Sequence, residues 1–251
     1  MAKELGDTIG IVMVESQGAT FDEMERFAWD NGWMGTSAMW TLERPVDSKS
    51  NYLPSYVLLD NNGYVLSRGN PIEDHGKIED MIDEQLKLAK KAPDDAPKAL
   101  DKAWKEFLGG KYQKGIEAAQ KVAEKGDEDA EAAKALITEF EERIGTELAL
   151  IERRIEAGWC VEAKSGYDAF SRAARGVEAV ADRMKTVEEK FDSEDFKREF
   201  EAEEALNGIL EDAHDDGITK KVVKKLEKHV ERYDGTKAAD RAKRLSGFAN
   251  E

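Results

Sequence analysis

Residues 51–69 read NYLPSYVLLDNNGYVLSRG, and this stretch decides how the first third of the chain is expected to fold. Two apolar runs, at 55–59 and 64–69, flank the turn sequence Asp-Asn-Asn-Gly at 60–63. Asn and Gly tolerate the positive φ angles that tight hairpin turns need. The stretch therefore predicts a β-hairpin, with Pro54 immediately ahead of its first strand.

Upstream of this hairpin the sequence predicts a strand followed by a helix. Residues 8–14, TIGIVMV, form a short apolar run typical of a strand buried on both faces. Thr20 and Glu23 have the spacing of a capping box, and the helix that they begin is expected to end at Asn31. Residues 33–53, which include Trp33, Trp40 and Pro45, are predicted to be irregular.

With a further helix expected from Asp74, the element order over residues 8–90 resembles thioredoxin-like proteins of the redoxin and thiol-disulfide oxidoreductase type. In that family a cis-proline begins a strand that leads into an Asp/Asn/Gly hairpin, and Pro54 stands at that position. The resemblance implies an α/β thioredoxin-like domain over 1–91 and a cis bond before Pro54. It also implies an edge that holds extended peptide, formed here by Leu53, Pro54, Trp33 and Trp40. Those tryptophans alternatively cover the sheet as core residues.

The cysteines that give that family its activity are absent from this chain. The family carries Cys-x-x-Cys at the start of a helix in an earlier strand–helix unit, whereas Cys160 is the only cysteine here. We therefore expect no thiol–disulfide exchange from the chain as given. Either the domain is an incomplete, binding-only version, or its catalytic unit lies upstream of this sequence. A partner protein or self-association through the incomplete sheet would cover the exposed apolar surface.

Composition narrows the range of partners and compartments. Among 251 residues, 54 are acidic and 38 basic, which gives a net charge of −16. Such a chain is a poor partner for nucleic acid or anionic membranes, and we expect no concentrated Lys/Arg stripe to override the repulsion. No stretch approaches the ~20 apolar residues of a membrane span. The start lacks a hydrophobic signal core, so the protein is expected in the cytoplasm if this N-terminus is native, and in the periplasm or outside if a leader precedes it.

The second part of the chain is predicted to be helical. Residues 92–97, APDDAP, are too rich in Pro and Asp for a helix and are expected to form a linker. Apolar stripes then stop at Gly109-Gly110 and at Gly158, each followed closely by an aromatic residue. This pattern predicts a helical-hairpin array over 98–251, similar to tetratricopeptide repeats although its spacing is longer. Individual helices are expected at 130–157, 161–175, 177–191, 193–214, 219–233 and 236–248.

The sequence offers no arrangement of side chains with an evident chemistry. The three histidines are far apart in sequence, and none has a second His or Cys at ligand spacing, so we predict no metal, cofactor or catalytic residue. Cys160 is interpreted as a small buried apolar residue, with a reactive thiol as the alternative. The expected function is that of a non-catalytic thioredoxin-fold protein that binds protein or extended peptide through its helical array. The alternative is a fragment of a redoxin-family oxidoreductase.

Overall fold

The structure is a computed structural model that describes residues 9–31, 38–60, 63–126, 128–216 and 219–248. Within these ranges it contains ten α-helices and two sheets of two strands each. The chain divides into two compact units. The first comprises residues 1–44, 150–167 and 185–251, and the second comprises 45–149 and 168–184. The predicted linker at 92–97 contains no helix or strand and lies inside the second unit.

The first unit contains a parallel pair of short strands. Strand β1, Ile11–Val14, pairs with β2, Ala38–Thr41, so that Ile11 stands opposite Ala38. The expectation that residues 33–53 are irregular is therefore wrong at β2. The four residues Ala-Met-Trp-Thr are too few for a pattern, and their hydrogen bonds to a distant segment make them a strand. Residues 32–37 lie outside the described part of the chain.

The burial of β1 also differs from the expectation. Its residues alternate between half-buried and exposed, and Val12 and Val14 keep 46% and 40% of their surface in contact with solvent. A strand buried on both faces needs a covering layer on each side of the sheet. The burial prediction is therefore wrong for one face of β1.

The second unit contains the predicted hairpin. Strand β3, Tyr56–Leu59, pairs antiparallel with β4, Val65–Gly69. At the turn, the Gly63 N–H donates to the Asp60 carbonyl oxygen at 3.1 Å, and Gly63 has a φ of 84°. The hairpin is confirmed, and the Leu53–Pro54 bond is cis as predicted. Because the described strands form two separate pairs, the resemblance to thioredoxin-like proteins stays a prediction.

Two helices belong to the N-terminal stretch. Helix α1, Phe21–Asp30, begins with the predicted capping box, in which Thr20 and Glu23 each accept a hydrogen bond from the other's backbone N–H. Helix α2 spans His75–Leu88, one residue after its expected start. Both confirm the helices predicted from sequence.

Beyond residue 97 the described chain is helical. A 3₁₀ turn at Lys98–Leu100 precedes α3. The helices are α3 Asp101–Leu108, α4 Tyr112–Ala123, α5 Ala130–Ala157, α6 Cys160–Ala173, α7 Glu178–Asp192, α8 Glu194–Asp216, α9 Lys220–Arg232 and α10 Lys237–Gly247. These bounds confirm the predicted all-α region, most closely for α5.

The chain turns between helices at the predicted glycines. Gly110 separates α3 from α4 with a φ of 70°, and Gly158 separates α5 from α6 with a φ of 76°. Residues other than glycine rarely adopt this left-handed conformation. Gly115, on α4, lies against α3, where an added Cβ would be 2.9 Å from the Phe107 Cβ. Gly115 thus allows α3 and α4 to pack closely, while the helical-hairpin array and its relationship to tetratricopeptide repeats stay predictions.

Each unit has its own aromatic or aliphatic core. In the second unit, Phe140 stacks on Phe107 with ring centroids 3.8 Å apart and meets the edge of Trp104 at 5.1 Å. In the first unit, Trp29 from α1 is 7% exposed and belongs to a buried cluster formed largely by α8, α9 and α10. Trp29 is therefore a core residue, and it packs α1 against the C-terminal helices.

Candidate functional site

The residues expected at a peptide-binding edge are only partly described. Trp33 lies outside the described residues. Trp40 is half-buried in β2 of the first unit, whereas Leu53 and Pro54 are exposed in the second unit. Leu53 and Pro54 are adjacent through their cis bond. Their role in holding peptide stays a prediction.

An apolar sheet face is exposed in the first unit. Partners in parallel strands point their side chains to the same side, so Val12 and its partner Met39 share one face, as do Val14 and Thr41. Met39 is 54% exposed, more than either valine. We call Val12, Val14 and Met39 the β1–β2 face. Ile11 and Met13 belong to the opposite, half-buried side.

A second feature of the first unit is a pair of glutamates that cap other helices. Glu199 and Glu203 lie one turn apart on α8. Glu199 accepts hydrogen bonds from the backbone N–H groups of Lys237 and Ala238 at the start of α10, both at 2.9 Å. Glu203 accepts one from the N–H of Val161 at the start of α6, also at 2.9 Å. Helix starts have unpaired N–H groups and a partial positive charge, so each carboxylate stabilises a neighbouring helix.

Arg241 of α10 joins this pair to the turn between α5 and α6. Its guanidinium donates to the Gly158 carbonyl oxygen at 3.0 Å and lies over the Trp159 ring, 4.1 Å from its centroid. Its Nη2 is 3.6 Å from Oε1 of Glu203. A cation over an indole ring is attracted to the negative face of that ring. Arg241 therefore ties the turn, α8 and α10 together.

Burial dominates the electrostatics of this cluster. Glu203 is fully buried, and loss of solvation raises its pKa to about 7, with the nearby Glu162 carboxylate adding to the rise. The Val161 N–H and Arg241 act in the opposite direction. Oε1 of Glu203 and Oε2 of Glu162 have no hydrogen-bond partner among the described residues. Glu203 therefore changes its charge near neutral pH inside the fold.

The cysteine and histidine of this region are both buried. Burial, followed by the Glu203 charge, raises the pKa of Cys160 to about 12, so the thiol is neutral at physiological pH. Burial lowers the pKa of His229, whose Nε2 lies 2.7 Å from the Ala202 carbonyl oxygen. A neutral imidazole donating to that carbonyl satisfies the geometry. The interpretation of Cys160 as a buried apolar residue is confirmed.

The sequence contains one signal for this cluster. Glutamates at 199 and 203 share one face of a predicted helix, since residues four apart are neighbours on a helix. Their partners at 161, 237 and 241 are 38 or more residues away, and no local pattern pairs them. The cluster was therefore missed because it is created by helix packing.

The chain matches no family model, no curated protein and no solved structure. No group of three or more His, Cys, Asp or Glu side chains in the described residues could hold a metal ion. None of the described helices is both long and apolar enough to cross a bilayer.

Proposed function

We propose that the chain is a non-catalytic protein-interaction module whose helical array supports a binding surface for an extended segment of a protein partner. The observation that carries this proposal is the β1–β2 face, where three apolar side chains are 40–54% exposed on adjacent strands. Contiguous apolar surface of this kind is typical of protein interaction sites. The fold that we propose for the N-terminal stretch remains thioredoxin-like, in line with its sequence resemblance.

An extended segment suits this surface because a short sheet offers two kinds of contact. Among the described strands, β1 and β2 pair only with each other. An added strand would form main-chain hydrogen bonds at an edge and place alternate side chains on the apolar face. The side chains would supply specificity, and the backbone bonds would supply register.

The helical array holds this surface through α1. Arg244 of α10 pairs with Glu25 of α1 at 2.5 Å and with Asp22 at 3.3 Å. Trp29 from the same helix lies in the cluster shared with α8–α10. A surface fixed by both packing and ion pairs loses little entropy when a partner binds.

The test is peptide binding by the intact chain. Peptides selected from a random displayed library are expected to bind the wild type. Their affinity for the Val12→Glu/Met39→Glu double variant should be at least about tenfold weaker. The reason is that an unpaired carboxylate in an apolar contact costs more than ~1.4 kcal/mol. Both positions are exposed, so the variant is expected to fold. Isothermal titration calorimetry measures the difference.

Leu150→Glu is the matched control, since Leu150 is an apolar residue of α5 that is 44% exposed. This variant is expected to keep wild-type affinity. Equal binding by the Val12→Glu/Met39→Glu variant would contradict the proposal. Light scattering tests whether the face instead binds a second copy of the chain. That conclusion would follow if the wild type binds no peptide but is a dimer, and if the Val12→Glu/Met39→Glu variant is a monomer.

A further inference from the structure

Helix α9 carries a dense row of lysines in an otherwise acidic chain. Lys220, Lys221, Lys224, Lys225 and Lys228 line one shallow depression of the surface. At 3.6 residues per turn, these five positions fall within an arc of about 140°. We call them the lysine face. The expectation that the chain has no concentrated basic stripe is wrong for α9, although the K-K-x-x-K-K-x-x-K spacing is visible in the sequence.

The opposite side of α9 packs in the core of the first unit. Val222 and Leu226 are 4% and 0% exposed and belong to its buried cluster. Thr219 caps the helix by accepting a hydrogen bond from the Val222 N–H. The orientation of the lysine face toward solvent is therefore fixed by packing.

Most of the lysine face has no anionic partner within the described chain. Lys225 pairs with Asp212 of α8. Lys220, Lys224 and Lys228 are exposed, and no ion pair joins them to a described carboxylate, whereas the charge of the exposed Lys221 also acts on Asp212. The depression thus presents cationic groups that are available for an external ligand.

This arrangement works against the stability of α9 itself. Lys220, Lys224 and Lys228 follow each other at intervals of four, where like charges repel on a helix. Cations in the first turn also oppose the helix dipole. An external anion relieves both effects, which favours a binding role over one in helix stability.

We propose that the lysine face of α9 binds an acidic segment of a protein partner. Repulsion from a chain of net charge −16 grows with the charge of the approaching molecule, so a nucleic acid or an anionic membrane meets a far larger barrier than a segment with a few carboxylates. Among the described residues, only lysines line the depression, without arginine or an aromatic platform for bases. The inference rests on the proposed function as an interaction module, but it uses a surface separate from the β1–β2 face.

The experiment measures binding of a synthetic Glu/Ser peptide and of its Gln/Ser counterpart to the full chain. The Glu/Ser peptide is expected to bind at low ionic strength, and its affinity should fall as salt is added. Lys221→Glu/Lys228→Glu is expected to weaken binding about tenfold, since each exposed ion pair contributes a few-fold. Fluorescence anisotropy of the labelled peptide gives both affinities.

Lys114→Glu/Lys121→Glu is the control, because it makes the same charge change at the same spacing on two exposed lysines of α4. It should keep most of the affinity, and Val12→Glu/Met39→Glu should keep nearly all of it. If the β1–β2 face proves not to bind peptide, the proposal for the lysine face is unaffected. If the lysine face proves not to bind an acidic segment, the proposal for the β1–β2 face is likewise unaffected. Three results would overturn the proposal for the lysine face. The two lysine variants could lose affinity equally, or the Gln/Ser peptide could bind as well as the Glu/Ser peptide. The third is tighter binding of a single-stranded oligonucleotide or of anionic phospholipid vesicles.

Discussion

At the scale of single residues, the glutamates of α8 show how a buried charge is used in this protein. Glu199 and Glu203 each satisfy backbone N–H groups of another helix, as a local capping residue does within one helix. For Glu203 the benefit is offset by burial, which favours its protonated form. The Glu203 carboxyl group therefore supports the packing of α6 and makes the stability of the fold depend on pH.

Glu203 is expected to make the folded chain less stable as pH rises toward neutrality. Its pKa is about 7 in the fold against 4.5 for the ordinary group, so between these values the folded state binds more protons. Stability from this group is therefore complete below about pH 4.5 and is lost as pH rises through about 7. Glu203→Gln should lose less stability than wild type between about pH 5 and pH 8, by on the order of 1–3 kcal/mol.

Urea unfolding of each variant across this pH range measures the effect. Glu199→Gln makes the same chemical change one turn earlier, on a carboxylate that is only partly buried. The difference between the two variants isolates the burial of Glu203. A pH profile of Glu203→Gln parallel to that of the wild type would contradict the expectation.

At the scale of elements, the helices were largely predictable and the strands were less so. The helices α5 to α10 carry long apolar stripes bounded by capping residues and glycines, so local sequence determines their ends. Strand β2 has four residues, and its pairing with β1 defines it. The exposure of Val12 was also unpredictable, because it depends on what covers the sheet. Of the candidate surfaces, the lysine face has a sequence signal, whereas the glutamate caps depend on tertiary packing.

The turn between α5 and α6 is expected to reject any residue other than glycine. At Gly158 the φ is +76°, and an added Cβ would lie 2.8 Å from the Lys237 Cβ. Gly158→Ala is therefore expected to destabilise the protein by about 1–3 kcal/mol, through backbone strain and overpacking. Gly158→Val should destabilise it further. Denaturant midpoints give the order of stabilities.

Gly208 provides the matched substitution within a helix. It lies on α8 with no atom near the position of an added Cβ. Gly208→Ala is expected to stabilise the protein by about 0.5–1 kcal/mol, because alanine loses less conformational freedom on folding. The exposed change Glu156→Gln should stay within ~0.5 kcal/mol. A stabilised Gly158→Ala would show that the turn does not need its glycine.

At the scale of the whole molecule, the excess of acidic residues sets the response to salt. Sixteen uncompensated negative charges repel one another more strongly in the folded chain than in the expanded one. Salt at about physiological ionic strength shortens the range of this repulsion to ~8 Å. Sodium chloride is therefore expected to raise the thermal midpoint, and each 2–4 °C corresponds to about 1 kcal/mol for a chain of roughly this size.

Two pairs of surface substitutions separate this repulsion from other effects of salt on proteins. Glu141→Gln/Glu142→Gln removes two negative charges from exposed positions of α5, and its midpoint should rise less with salt than that of the wild type. Lys114→Glu/Lys121→Glu makes the net charge more negative, and its midpoint should rise more. Any general effect of the salt on hydration is common to all three proteins, so it cancels in the comparison. Differential scanning calorimetry across a salt series measures the three slopes. If they are equal, self-repulsion contributes little to the stability of this chain.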